Sequence, residues 1–247
     1  MSSSSAALSY RATSWATHYS QTILLSIPLI IGQVAMIAIW TADIIMMGGI
    51  SADALAAGTQ ANRLYQPLYF IAIGLTIAVS PLTSQALGAL RRRQARRVVR
   101  QGIWLAFFYG LITMVPMWHG ETLLLLLGQD PEIARDADLF LKTTAPGMIP
   151  AYIYMVLRHY ASAHKRPGPP VVVTTIGVLV NIFLNWVFIH GQFGAPALGL
   201  AGIGIATSIT FTLMAIALGV YIHTQPPFSF TRPFARFFRF DTKVMKQ

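Results

Sequence analysis

Residues 26–49 read SIPLIIGQVAMIAIWTADIIMMGG. The run is almost wholly apolar, and about 20 helical residues suffice to cross the hydrocarbon of a bilayer. It reads as a membrane span. It holds one ionisable side chain, Asp43. A carboxylate inside a span is costly unless it is paired, solvated or protonated, so it is a candidate functional site by default. The alternative is a helix-end residue, since Gly48 and Gly49 follow about one turn later. That reading is weak, because a carboxylate at a helix C-terminus meets the unfavourable end of the dipole. The other acidic residues are expected in loops, tails or helix ends: Asp53, Glu121, Asp130, Glu132, Asp136, Asp138 and Asp241.

The rest of the chain has the same character. Of its 247 residues, 55% are hydrophobic and only 11% charged, whereas a soluble domain carries about a quarter charged residues. Six apolar segments are expected to span, at about 22–47, 65–87, 102–118, 140–157, 171–189 and 200–223. The fold class is therefore an all-α integral membrane protein with six transmembrane helices. Asp130 suits an N-cap and Pro131 the first position of the helix that carries the fourth span. Pro146 and Pro150 interrupt that span, which neighbouring groups can tolerate. Residues 48–58 and 191–199 read as turns, and 159–170 as a polar, proline-rich loop. Residues 1–21 are polar and lack the layout of a cleaved signal peptide. They read as a cytoplasmic tail, and 224–247, which mix Phe with Arg, as an interfacial cytoplasmic linker or truncated C-terminus.

Charge sets the expected orientation. With the N-terminus inside, the inner segments hold Arg11, the six arginines from Arg91 to Arg100, Arg158, Lys165, Arg166, and the five basic residues from Arg232 to Lys246. The outer side holds Arg63, Arg135 and Lys142. This positive-inside bias places both termini in the cytoplasm. It also accounts for the net charge of +10 through anionic lipid headgroups rather than nucleic acid. There is no cysteine. The six histidines lie at span ends or in loops without ligand spacing, so no metal site and no cofactor are expected. No Ser-His-Asp or paired-carboxylate arrangement is present, and an enzyme is not expected.

Three further features bear on chemistry. In VVVTTIGVLVNIFLNW, residues 171–186, Asn181 and Asn185 share one helical face, which Gly177 and Thr174 extend. Such a stripe fits a cavity lining and interhelical hydrogen-bond glue equally well. In GLAGIGIATS, residues 199–208, Gly204 and Ser208 lie four apart and suit close helix packing, while Thr207 offers a hydroxyl to a cavity. Pro28 lies in the first span, where a proline kink lets a helix bend.

Several stretches together carry a family resemblance: IPLIIGQ (27–33), ADIIMMGGISADALAA (42–57), LGQDPEIA (127–134), LRHYASAHKRP (157–167) and LVNIFLNWVFIHGQFGAPALGLAGIGIATS (179–208). The chain resembles the N-terminal lobe of a MATE (multidrug and toxic compound extrusion) transporter, of the NorM-like bacterial type. The resemblance covers most of residues 22–223. It implies one six-helix lobe of a twelve-span protein of the bacterial inner membrane. Such a protein exports cationic or amphipathic drugs in exchange for H+ or Na+. It further implies that Asp43 binds the coupling cation, that Asn181, Asn185 and Thr207 line the cavity as polar groups, and that Pro28 serves helix bending. Some relatives carry an acid at the position of Asn185, so a two-carboxylate site is not expected in this lobe. The chain has about half a family member's length, so a second lobe or a homodimer partner is expected. Two alternatives stand beside the antiporter: a non-transporting fragment or partner subunit, and a lipid-linked precursor flippase of a related superfamily. The acidic intramembrane charge suits cationic cargo better than the flippase does.

Overall fold

The computed structural model describes residues 15–231. The expectations for residues 1–14 and 232–247, including Asp241 and the tail arginines, lie outside the described residues. The described chain is helical throughout: α1 (Trp15–Ile50), α2 (Ala52–Ile77), α3 (Val79–Gly88), α4 (Arg92–Trp118), α5 (Gly120–Leu126), α6 (Pro131–Ala163), α7 (Gly168–His190), α8 (Leu200–Thr224) and the short α9 (Phe228–Thr231).

Among the described residues, five stretches are long and apolar enough to cross a membrane: Ser26–Ile50, Ala52–Gly88, Arg92–Trp118, Gly168–His190 and Leu200–Thr224. The remaining expected span, the fourth, lies in α6. That helix has 33 residues, about 50 Å of helix, so length is not its limit. It sits at the centre of the bundle and packs against α2, α3, α4, α5, α7 and α8. A helix covered by protein needs small and aromatic surfaces that fit its neighbours, not an aliphatic coat for lipid. Accordingly Ala145, Gly147, Met148, Ala151, Tyr152, Tyr154 and Tyr160 are buried on it.

Small residues set the approach of α8 to α6. A Cβ on Gly204 would run into Thr143 Oγ1 and lie 2.9 Å from the Phe140 carbonyl oxygen. A Cβ on Gly147 would lie 2.6 Å from Ser208 Cα. Ser208 Oγ donates to the carbonyl of Thr143 at 2.8 Å. The packing role expected of Gly204 and Ser208 is therefore what the structure shows.

Several boundaries differ from expectation. Residues 48–58 are not a turn: α1 runs to Ile50, and Ser51 alone separates it from α2. Ser51 is in extended conformation and its side chain accepts from the Ala54 amide at 3.0 Å, an N-cap that starts the helix at once. The arginine run is the first turns of α4 rather than a loop before it. The loop expected at 159–170 shrinks to 164–167, because α6 continues to Ala163 and α7 starts at Gly168. Helix α1 begins at Trp15, inside the stretch read as a tail. Asp130 does cap α6, accepting from the Glu132 amide at 2.9 Å.

Candidate functional site

Four of the five residues singled out in the sequence meet at one point. Asp43 lies on α1, Asn181 and Asn185 on α7, and Thr207 on α8. All four are buried. Asn185 Nδ2 donates to Asp43 Oδ1 at 2.7 Å, and Thr207 Oγ1 donates to Asp43 Oδ2 at 2.9 Å. Asn181 supports both donors. Its Nδ2 donates to Thr207 Oγ1 at 3.3 Å, and its Oδ1 accepts from Asn185 Nδ2 at 3.4 Å.

The local sequence explains this convergence. On α7 the polar residues Thr174, Asn181 and Asn185 are buried, while Ile176, Leu179, Ile182, Phe183 and Trp186 face outward. This is the inverted amphipathicity of a lipid-facing helix with a polar interior face. Gly177 on the same face admits α8 closely, since a Cβ there would lie 2.6 Å from Met214 Sδ. The stripe then divides in function. Thr174 Oγ1 donates to the Pro170 carbonyl at 2.8 Å and shares a hydrogen bond with the Tyr154 hydroxyl of α6. That end is helix–helix glue. The end at Asn181 and Asn185 belongs to the carboxylate.

Among the described residues no ion pair involves Asp43; Lys142 pairs with Asp138 instead. Asp43 is thus a buried carboxylate held by neutral donors, with lone pairs free for a proton or a small hard cation. Asn185 Oδ1 is buried and has no hydrogen-bond partner. Turning the amide over would set oxygen against carboxylate oxygen, so the orientation found is the one an ionised Asp43 requires. No cluster of three or more His, Cys, Asp or Glu side chains suited to a metal occurs among the described residues.

Pro28 stands apart from this group. It lies fifteen residues before Asp43, about 22 Å along the helix axis, and α1 runs unbroken through it. It lines a cavity of about 200 Å³ with Gly32, Gln33, Arg158, Ser162 and Thr174.

Sequence reasoning missed other neighbours. Trp40 stacks edge-on against Tyr65 and Tyr69 of α2, with ring centroids 6.5 and 4.8 Å apart. Tyr65 is buried close enough to Asp43 to feel its charge. The spacing of Trp40 to Asp43, nearly one turn, was the available signal. Asp138 corrects an expectation: it is buried in α6 rather than in a loop or at a helix end. It is tolerated there because it pairs with Lys142 one turn on and accepts from the Glu121 amide at 3.2 Å.

Known proteins supply the remaining comparison. The MatE family model matches residues 28–187. The chain is 37% identical over 230 residues to a probable multidrug resistance protein NorM of Mesorhizobium japonicum, covering 92% of this chain and 49% of that protein. It is 35% identical over 202 residues to the multidrug resistance protein MdtK of Yersinia enterocolitica, covering 81% of this chain and 44% of that one. Among solved structures, its fold is similar to the eukaryotic MATE transporter AtDTX14, with a TM-score of 0.80 at 23% identity over 87% of this chain and 48% of that chain. An outward-facing multidrug resistance MATE transporter gives a TM-score of 0.80 at 18% identity, covering 92% of this chain and 49% of that chain. The chain spans about half the length of the curated relatives it matches.

Proposed function

We propose that this chain, which belongs to the MatE (multidrug and toxic compound extrusion) family of transporters, is one lobe of a cation-coupled antiporter that exports cationic or amphipathic compounds. It is a multi-pass protein of the bacterial inner membrane, like its relatives. The observation that carries the proposal is Asp43: a buried carboxylate with no basic partner among the described residues, gripped from two other helices by Asn185 and Thr207.

The chemistry follows from that geometry. An ionised Asp43 accepts from Asn185 and Thr207. A proton arriving on Oδ1 turns an acceptor into a donor, which then needs an acceptor of its own. The Asn185 amide supplies one by turning its unpartnered Oδ1 inward. The same negative charge attracts a cationic drug. Proton or Na+ and drug therefore compete for Asp43, and exchange of one for the other across two orientations of the lobe is antiport. The second wall of the cavity comes from another six-helix lobe, in a longer chain, a second copy or a separate subunit.

The test is ethidium efflux from pump-deficient bacteria, with membrane insertion confirmed and a matching C-terminal half co-expressed. Efflux is expected to collapse when the proton or sodium gradient is dissipated and to be lost in Asp43→Asn. Gradient-driven efflux that persists unchanged in Asp43→Asn would refute the assignment. The reading as a non-transporting partner gains only if efflux is absent in every combination of lobes.

A further inference from the structure

Counting charges along the sequence puts Arg158 in a cytoplasmic loop. The structure puts it inside α6, five residues before that helix ends at Ala163. It is half-buried and turned toward α1, where Nη1 donates to Gln33 Oε1 at 3.4 Å. Its charge acts on the hydroxyls of Tyr69 and Tyr154, on α2 and α6. Among the described residues no carboxylate lies within ion-pair distance of it. A guanidinium presents five donors in a fixed fork. Here one long bond to a neutral amide is the only side-chain hydrogen bond it makes among the described residues.

Arg158 and Gln33 also line two cavities. One, of about 200 Å³, is the cavity beside Pro28. The other, of about 330 Å³, lies between α1, α2 and α6 and is walled by Met36, Trp40, Tyr69, Phe70 and Met155. It is aromatic and apolar except at the end where Arg158 and Gln33 stand. Its size falls in the range of small-molecule pockets, and its lining has their usual form, a greasy body with one directed polar group. An unpaired guanidinium beside such a pocket selects for planar anions, which it can meet with two parallel hydrogen bonds.

We propose that this α1–α2–α6 cavity binds a monoanionic aromatic amphiphile, with its ring between Trp40, Tyr69 and Phe70 and its acidic group on Arg158 and the Gln33 amide. The charge preference is opposite to that of Asp43. Gln33, at the acidic-group end, precedes Asp43 by ten residues, about 15 Å along α1, while the ring end at Trp40 lies within one turn of Asp43; the charge preference is set at Arg158, so the proposal does not rest on the antiport reading. The acidic group is a carboxylate or sulfonate carried by that aromatic body; a phospholipid phosphate has the charge but no ring for the aromatic end.

The experiment is a calorimetric titration of the full chain in nanodiscs of neutral phosphatidylcholine. The probes are 2-naphthoate and its uncharged counterpart 2-naphthamide. The wild type is expected to bind naphthoate at least about tenfold more tightly than naphthamide, the scale of a charge-assisted hydrogen bond. Arg158→Gln is expected to erase that difference. Arg158→Lys keeps the charge and is expected to stay within about fivefold of wild type. Asp43→Asn is expected to leave the preference for naphthoate over naphthamide in place, because that preference is set at Arg158. Repeating the titration with phosphatidylglycerol in the disc tests the ring requirement: undisturbed naphthoate binding is expected, and displacement of naphthoate by the lipid would overturn the aromatic assignment. No naphthoate binding, equal affinity for both probes, or full naphthoate binding by a folded Arg158→Gln would overturn the proposal.

Discussion

Replacing one glycine by alanine should have opposite effects at two places in this lobe. At Gly204 the new Cβ would strike Thr143 Oγ1 and lie 2.8 Å from Thr144 Oγ1 and 2.9 Å from the Phe140 carbonyl oxygen. The Thr143 hydroxyl can rotate, but it gives up its bonds to the carbonyls of Leu139 and Phe140, each 3.0 Å long. The Phe140 carbonyl belongs to the α6 backbone and cannot move without the helix. Overpacking of this kind costs about 1–3 kcal/mol. At about 2–4 °C per kcal/mol for a chain of this size, Gly204→Ala should lower Tm by about 2–12 °C. At Gly74 of α2 a Cβ meets nothing within 4 Å. There the alanine contributes only its helix propensity, about 0.5–1 kcal/mol in favour of the fold. Gly74→Ala should therefore hold or slightly raise Tm. A functional consequence follows for Gly204 alone. Thr207 lies three residues on and reaches Asp43 across 2.9 Å, so an α8 pushed off α6 changes the grip on the carboxylate and should reduce efflux. The assay is thermal unfolding of detergent-purified variants beside ethidium efflux in cells. A Gly204→Ala protein at least as stable as Gly74→Ala would refute the close-packed α6–α8 contact.

Three shorter tests follow from the same geometry. Thr207→Val removes the donor to Asp43 Oδ2 at almost constant volume; loss of a hydrogen bond to a charged group should cost about 1.5–3 kcal/mol and most of the efflux, while Thr207→Ser should restore both in unfolding and efflux assays. Tyr154→Phe breaks the contacts of its hydroxyl to Thr174 and to the Pro170 carbonyl; it should lower stability by about 0.5–1.5 kcal/mol with efflux retained, because that end of the α7 stripe is glue. His164 packs against Tyr160 and Phe228 with ring centroids 4.4 and 5.0 Å away, and burial pushes its imidazole below the ordinary value of 6.5. The unfolded state then binds the proton more readily, so this packing stabilises fully above that range and less as pH falls through it. Acidification from about pH 7.5 to about pH 5 should lower Tm more in the wild type than in His164→Gln.

One residue type carries its own cost in the sequence. Asp43 stood out because a carboxylate in an apolar run demands an explanation, and the structure buries it against Asn185 and Thr207. Spacing placed Asn181 and Asn185 on one face of α7 but could not say that one half of the stripe serves a carboxylate and the other half a tyrosine. The partners of Asp43 lie 142 and 164 residues away in the chain, and only the family resemblance joined them beforehand. The failures have physical causes too. Asp138 was placed in a loop or at a helix end because α6 was expected to become apolar only at about residue 140, whereas the helix starts at Pro131 and its Lys142 lies one turn on from Asp138. Arg158 was counted among the inner segments because the fourth span was ended at about Leu157, at the first polar residues, whereas α6 continues to Ala163. The aromatic wall of Trp40, Tyr65 and Tyr69 was missed because aromatic residues in a membrane chain are everywhere, and periodicity alone does not say which face protein and which face lipid.

In the proposed mechanism Asp43 holds either the coupling cation or the cationic drug, and not both. The direct measurement is cation release when ethidium is added to the purified lobe assembly in weakly buffered detergent, read with a pH indicator and in parallel with radioactive sodium. The account expects a proton or a sodium ion to leave on ethidium binding, and both the release and the tight binding to be lost in Asp43→Asn. Ethidium that binds wild type and Asp43→Asn equally, with no cation released from either, would contradict it.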